Sequence, residues 1–423
     1  MISIKPTSSI EFSCPLCGNT FHGDTNTYFQ GKHILTKNSC PNCHSGFWQT
    51  LPIGHDRHFP SQYSQFGEKS FCTTPNHHWL TEPLRKSLKP NQGLEASISI
   101  RNRQPGNQAI LINCLDSCFG HVMTKIWNAY LLRERFPDQV LIVLISSQCE
   151  WLCPRQHTEL WLVNAPIKAL DNQLISLDPW IKSQLARFDS FQLSQVPTHI
   201  DAAKWIKMEE VIKIPRFPVQ ELTTRPLMIS FVLREDRFWH NSHLLDFCFR
   251  AGIKFGLSDF LRPLFIRRQA ALVIRTAKLL LRTFPGAKIA VTGLGISGTF
   301  PDFISDQRVR EIRSEEEMQR NQLYSQSQLV IGVHGSHMLV PTALAGGFIN
   351  LVPEYKLPHW VEDTLLPYSG RLLQWMGRFL NEFTSPNYLA THAISMITGF
   401  DTIWSNLQEQ EIQIPVRNGG YSS

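Results

Sequence analysis

Four cysteines near the start of the chain have the spacing of a metal site. Cys14-Pro15-Leu16-Cys17 and Cys40-Pro41-Asn42-Cys43 are two C-x-x-C pairs separated by residues 18–39. Each pair folds as a tight turn with both thiolates aimed at one ion, and two such turns complete a tetrahedral S4 shell. The proline in each pair pre-sets the turn backbone. With four thiolates no coordination position stays open for water, so the expected ion is a structural zinc held by Cys14, Cys17, Cys40 and Cys43. The other six cysteines, Cys72, Cys114, Cys118, Cys149, Cys153 and Cys248, sit in or beside apolar runs and read as small buried hydrophobes.

A second stretch has the chemistry of an anion site. In Leu329-Val330-Ile331-Gly332-Val333-His334-Gly335-Ser336-His337-Met338 a buried strand runs into a tight loop and a helix follows at once. Ligands of open parallel sheets bind at the carboxyl ends of strands, and a helix start there favours an anion. Gly335 lets the backbone approach closely, Ser336 brings a hydroxyl, and His334 or His337 can donate to a phosphate oxygen. Arg234, at the end of the strand Leu227–Leu233, faces the same crevice if the two strands are the first and fourth of one doubly wound sheet. Its guanidinium suits a diphosphate; the alternative is a surface pair with Glu235 or Asp236. A third loop, Asn113 to His121, joins a strand to a helix and offers Asp116 and His121 as general bases, or as caps of that helix.

These loops need a frame to hold them, and hydrophobic patterning predicts one. Ala109–Ile112 is a strand, Val122–Arg135 a helix ended by Pro137, and Val140–Ile145 a fully apolar strand of the parallel type. Leu160–Val163 continues the rhythm. A second βα series starts at Leu227–Leu233 and proceeds through a helix Arg268–Phe284, a strand Lys288–Thr292, a helix Glu315–Ser325 with Ser314 and Glu317 as capping box, a strand Gln328–Val333, a helix Met338–Ala345 and a strand Phe348–Val352. The expected fold class is α/β, with two Rossmann-like domains and an N-terminal zinc ribbon. Expected boundaries are 1–60 for the ribbon, 61–104 for a linker with local structure, 105–220 for the first Rossmann-like domain and 221–423 for the second.

The strand-HGSH-helix segment, followed by Gly346-Gly347-Phe348-Ile349-Asn350-Leu351-Val352-Pro353-Glu354, resembles the donor-site signature of glycosyltransferase family 61. That family's loop reads H-G-A-G-L, so Ser336 and His337 depart from it, and a zinc ribbon is not part of its usual domain. The resemblance covers residues 225–370 well and 105–150 loosely. It implies a GT-B architecture of two facing Rossmann domains, the second holding a nucleotide-sugar donor and the first the acceptor. It also implies transfer without a catalytic metal. His334, Gly335, Ser336 and His337 would then line the diphosphate loop, Glu354 would bond ribose or sugar hydroxyls, Arg234 would be the basic residue of the first strand, and backbone groups of Val309–Arg313 would hold the base. The acceptor, whether glycan, lipid-linked sugar or protein, stays open. The competing reading is a zinc-ribbon adaptor for protein or nucleic acid on an inactive scaffold.

Composition excludes several classes. The chain has 423 residues, of which 42% are hydrophobic and 18% charged, so it builds packed cores and is not disordered. Net charge +6 over that length is mild, which makes nucleic acid an improbable partner. No run of eighteen apolar residues occurs and the start lacks a secretory signal pattern, so a cytoplasmic location is expected. Gly293-x-Gly295-x-x-Gly298 follows a strand but leads into Thr299-Phe300-Pro301 instead of a helix, which argues against a dinucleotide fingerprint. The basic, amphipathic run Arg267 to Arg282 has the pattern of a membrane-surface helix, but a Rossmann helix packed on one side is the preferred reading. His55, His58, His77 and His78, which have no ligand-like carboxylate partner nearby, read as surface residues.

Overall fold

The computed structural model describes residues 1–71, 78–89, 93–195 and 207–409. Two compact units divide it, Met1–Lys213 and Ile214–Ser423. Both are α/β, each built on a six-stranded sheet.

In the second unit all six strands run parallel. Numbered in chain order they are Met228–Arg234, Lys288–Leu294, Ile304–Asp306, Leu329–Val333, Gly347–Val352 and Gly377–Asn381, and the sheet reads 3-2-1-4-5-6. This is the dinucleotide-fold order, whose crevice opens where strand order reverses, between the first and fourth strands. Strands buried on both faces read as continuous apolar runs, which is why Leu329–Val333 and Gly347–Val352 were legible from sequence. Arg234 ends the first strand and His334 follows the fourth, so the expectation that both border one crevice holds.

In the first unit the parallel core is Gln108–Asn113, Val140–Ser146, Thr158–Val163 and Ser190–Leu193, in the order 4-1-2-3. Two antiparallel strands flank it. Ile98–Arg101 pairs with Thr158–Val163, and the N-terminal strand Ile2–Lys5 pairs with Ser190–Leu193. Of the first sixty residues only Ile2–Lys5 enters this sheet, the later strands forming a two-stranded and a four-stranded sheet of their own, but Ile2, Phe29, Ile34, Leu51 and Ile53 join the same apolar core as Leu111, Leu144 and Trp161. The stretch 61–104 carries a strand Gln62–Ser64, a helix His78–Ser87 and the edge strand just named, with Tyr63, Leu80 and Leu84 buried.

Several local expectations shift. The long helix runs over Ser258–Thr283, starting ten residues earlier than apolar spacing suggests and passing through Pro263 in its second turn. The helix Ser314–Gln326 is capped by Arg313 without a side-chain bond, because Glu317 turns to Arg320 and no capping box forms. The Gly293–Gly298 loop needs its glycines for close approach. Gly293 has φ +115, and a Cβ there would lie 1.8 Å from the Leu233 carbonyl oxygen. Gly293→Ala is therefore expected to destabilise the protein by about 2 kcal/mol or more, read as a lowered denaturant midpoint, since backbone cannot move aside as a side chain does. An unchanged midpoint would mean the loop is free to shift.

Candidate functional site

The two C-x-x-C turns share one backbone design. Cys14 N–H donates to Asn19 O and Gly18 N–H to Cys14 O; Cys40 N–H donates to Ser45 O and His44 N–H to Cys40 O. Gly18 and His44 take the left-handed conformation that closes each turn, at φ +73 and +60. Hairpin strands Ser9–Ser13 and Thr20–Asp24 present the first knuckle, and Ile34–Ser39 and Gly46–Thr50 the second. The four sulfurs lie within 4.8 Å of one another, with Cys14–Cys43 and Cys17–Cys40 at 3.6 Å. Tetrahedral zinc with Zn–S near 2.3 Å requires sulfurs roughly 3.8 Å apart, so the residues fit the ion. Burial pushes the Cys14 thiol up to about 11, whereas the Ser45 hydroxyl and amide draw Cys43 down to about 6. Cys40→Ser is expected to abolish stoichiometric zinc measured by elemental analysis and to lower Tm by roughly 10 °C, since a structural zinc site supplies folding energy outright. Because Ile2–Lys5 belongs to the main sheet, the loss should extend to the whole first unit; a variant that loses zinc at unchanged Tm would make the ribbon a separate module.

At the carboxyl end of the first unit's sheet, the loop after Gln108–Asn113 brings Asp116 and His121 together. Asp116 is buried. Its Oδ1 accepts from His121 Nδ1 at 3.1 Å and from Cys118 N–H at 3.1 Å, and its Oδ2 accepts from Lys125 Nζ at 2.9 Å. Burial alone would raise its pKa; the Lys125 ammonium and the His121 hydrogen bond outweigh that and hold it well below the usual carboxylate range. A depressed folded-state pKa stabilises the protein above the unfolded value and is lost as pH falls through the folded one, so Asp116 stays ionised through neutral pH. An enclosed carboxylate already bound to an ammonium is not a base for a substrate hydroxyl. It orients His121, which lies in the first turn of the helix Phe119–Arg135 and keeps part of its ring at the surface.

The N-terminal segment closes over this loop, which no local pattern predicts. His55, expected at the surface, is buried with its ring 4.3 Å from that of His121, and Trp79 stands against both rings at 5.2 and 5.6 Å. Asn113 Nδ2 donates to Gly31 O at 2.9 Å, Lys32 pairs with Asp171, and Ser117 Oγ donates to Asp171 at 2.7 Å. His55, Asp116 and His121 place ligand atoms within 4.8 Å of one another. A divalent cation there would face the Lys125 ammonium, so the group suits a hydrogen-bonded histidine better than a metal. His58 and His78 are exposed as expected, and His77 lies outside the described residues.

In the second unit the crevice between first and fourth strands carries the predicted loop with altered roles. Arg234 is held bidentate by Asp236, through Nε at 2.6 Å and through Nη2, as its alternative reading anticipated. The arginine that reaches across is Arg237, whose Nη1 donates to the His334 carbonyl at 3.0 Å; among the described residues it is in no ion pair. Gly335 has φ +155, and a Cβ would sit 1.6 Å from Arg237 Nη1, so glycine is what lets the guanidinium in. His334 is turned inward: Nδ1 accepts from Asn350 Nδ2 at 3.0 Å and Nε2 faces Asp363 at 3.7 Å and the His359 carbonyl at 3.5 Å. Its ring is thus a brace for the loop, and burial lowers its pKa. His337 Nδ1 is buried without a hydrogen-bond partner, and burial together with Arg234 and Arg237 holds its pKa well below normal. The helix after the loop, Leu339–Leu344, has six residues, too few for a strong dipole. Positive potential at this crevice comes from Arg237; Lys356, which also acts on His337, is paired with Asp363 at 3.6 Å.

Glu354 follows the fifth strand and lines a cavity of about 400 Å³ with His243, Trp360, Phe379 and Phe383. Its amide donates to Glu382 at 3.1 Å. Within the segment Val309–Arg313, the backbone groups of Val309 are already spent on Gly293 and Gly295. Burial pushes the Cys114 and Cys149 thiols up to about 12, as inert core cysteines behave. Cys248 differs from expectation by being exposed, and Cys72 lies outside the described residues.

No family model and no curated protein matches the chain. Among solved structures, it is similar to E. coli ADP-heptose LPS heptosyltransferase II at 10% identity over 70% of this chain and 99% of that one, with TM-score 0.36. A family 9 glycosyl transferase from Veillonella parvula aligns at 10% identity over 69% and 97%, with TM-score 0.40, and E. coli heptosyltransferase WaaC with ADP at 10% over 71% and 99%, with TM-score 0.32. Likeness at that level fixes no activity, and the chemistry has to be read from the residues. No described helix is long and apolar enough to cross a membrane.

Proposed function

We propose that the protein is a glycosyltransferase that moves a sugar from a nucleoside diphosphate sugar to an acceptor hydroxyl. One observation carries this reading: at the topological switch point of an all-parallel sheet, a glycine loop admits an arginine that has no carboxylate partner among the described residues. A protein that only docks on other proteins has no use for an uncompensated guanidinium at that crevice, whereas a diphosphate completes it. Arg237 and Lys356 carry the diphosphate charge, and His337 Nδ1, when it bears the proton, donates to a phosphate oxygen. The aromatic cavity beside Glu354 takes the nucleoside or the sugar, with Glu354 accepting from its hydroxyls.

In the first unit His121 Nε2 takes the acceptor proton while Nδ1–H stays on Asp116. The acceptor oxygen forms its bond to the anomeric carbon, and the bond from that carbon to the diphosphate oxygen breaks. The nucleoside diphosphate departs with the electron pair, its charge met by Arg237 and Lys356. The four cysteines take no part in these steps; they would hold a zinc ion, whose contribution would be structural.

A panel of UDP, GDP, CMP and TDP, with AMP and NAD as controls, tests the reading by thermal shift. A ligand at a hundred times its Kd stabilises by about 2.7 kcal/mol, a rise of several degrees for a chain of this size. Selective stabilisation by one nucleoside diphosphate is expected and identifies the donor class. No response across the panel from a well-folded, zinc-loaded sample would overturn the donor site.

A further inference from the structure

We infer that the helix pair His243–Lys254 and Ser258–Thr283 is a docking surface for an anionic lipid bilayer. In most surface helices the apolar face turns inward, but here large apolar side chains face out. Phe260 is 83% exposed, Phe255 73%, Leu244 70% and Phe247 68%. Leu244, Phe247, Cys248 and Phe255 recur at the spacing of one helical face, and all four are exposed. The last turn of the first helix adds Ile253 and the connection between the helices adds Leu257, both exposed, on either side of Gly256 at φ +72. The inner faces are occupied otherwise: Leu245, Phe249 and Leu261 pack on Phe238, Phe265 and Ile266. The outward residues are therefore not a core that failed to close.

Charge says what covers this face. The solvent side of Ser258–Thr283 continues from Phe260 and Leu264 into Arg267, Arg268, Arg275, Lys278 and Arg282, all exposed, with Asp259 the one acidic residue in the helix. Asp259 is already paired with Arg262, and Asp246 with Arg250. An apolar tip followed by a cationic stripe matches a bilayer whose acyl boundary takes the aromatics and whose anionic headgroups take the arginines. A second copy seated on the same patch by two-fold symmetry would bring cations against cations, which disfavours a homodimer. The reading gives meaning to the basic run noted in the sequence: its buried side packs as a Rossmann helix does, and its other side is free for lipid.

Co-sedimentation of the full chain with vesicles tests this independently of any transfer activity. Binding is expected to phosphatidylcholine vesicles containing phosphatidylglycerol and not to phosphatidylcholine alone, and to weaken as salt rises. Phe255→Ser with Phe260→Ser, both at exposed positions, should lower partitioning at least about tenfold with Tm unchanged, through loss of inserted apolar surface. Arg267→Glu with Arg268→Glu should lower it by a similar factor through the headgroup attraction. Wild-type protein left in the supernatant with both vesicle types, equal binding to neutral and anionic vesicles, or full binding by either double variant would overturn the proposal. So would a concentration-dependent dimer in light scattering that Phe255→Ser with Phe260→Ser abolishes while vesicle binding persists.

Discussion

His121→Ala is expected to lower kcat for sugar transfer by about a thousandfold, with donor affinity and Tm unchanged. A positioned general base contributes roughly a hundredfold to ten-thousandfold, and His121 is the group in the first unit's loop that is both reachable and oriented. Asp116 accepts from its Nδ1–H at 3.1 Å, which fixes the orientation of the ring. Asp116 itself is a positioning residue, buried and tied to Lys125 at 2.9 Å. Lys125→Met separates the two roles. It leaves an uncompensated buried carboxylate, so it should cost about 3 kcal/mol of stability, whereas His121→Ala should leave the fold intact. Nucleoside diphosphate release in the presence of acceptor is the measurement. Full turnover by His121→Ala would take the base away from this loop.

Arg237→Ala should raise the Kd for the nucleoside diphosphate by about a hundredfold, equivalent to roughly 2.7 kcal/mol. Arg234→Ala should change it by less than about fivefold. The contrast follows from their partners. Arg234 is neutralised by Asp236 on its own turn, and an arginine locked in an exposed local pair contributes little elsewhere. Arg237 reaches the loop of the fourth strand, where Gly335 leaves it room. Titration calorimetry of both variants against the nucleotide selected by thermal shift decides the matter. Equal losses, or a larger loss in Arg234→Ala, would return the role to the residue at the strand end.

The second unit was legible because its strands are buried on both faces and bounded by glycine and proline. Met228–Arg234, Leu329–Val333 and Gly347–Val352 fall within a residue or two of their apolar runs. The long helix starts earlier than its apolar spacing suggests because its first turns, with Phe260 and Leu264, point large apolar side chains outward. His334 was assigned to the ligand because sequence cannot tell which way a ring turns; Asn350, sixteen residues on and one strand over, turns it inward. His55 escaped notice because its neighbours Asp116 and His121 are more than sixty residues away along the chain.

By itself, the sequence determined the chemistry of the cysteine pairs, the α/β class and the strand whose loop carries His334 to His337. Those features are local: turn geometry follows from C-P-x-C, and a buried parallel strand from an unbroken apolar run. Tertiary structure alone decided that Arg237 and not Arg234 reaches the loop, that Asp116 is enclosed with Lys125 while part of His121 stays at the surface, and that the N-terminal segment adds Ile2–Lys5 to the first unit's sheet and side chains to its core. Each of these depends on groups brought together by strand order. Register and burial over long separations are set by the packed whole, and no window of neighbouring residues contains them.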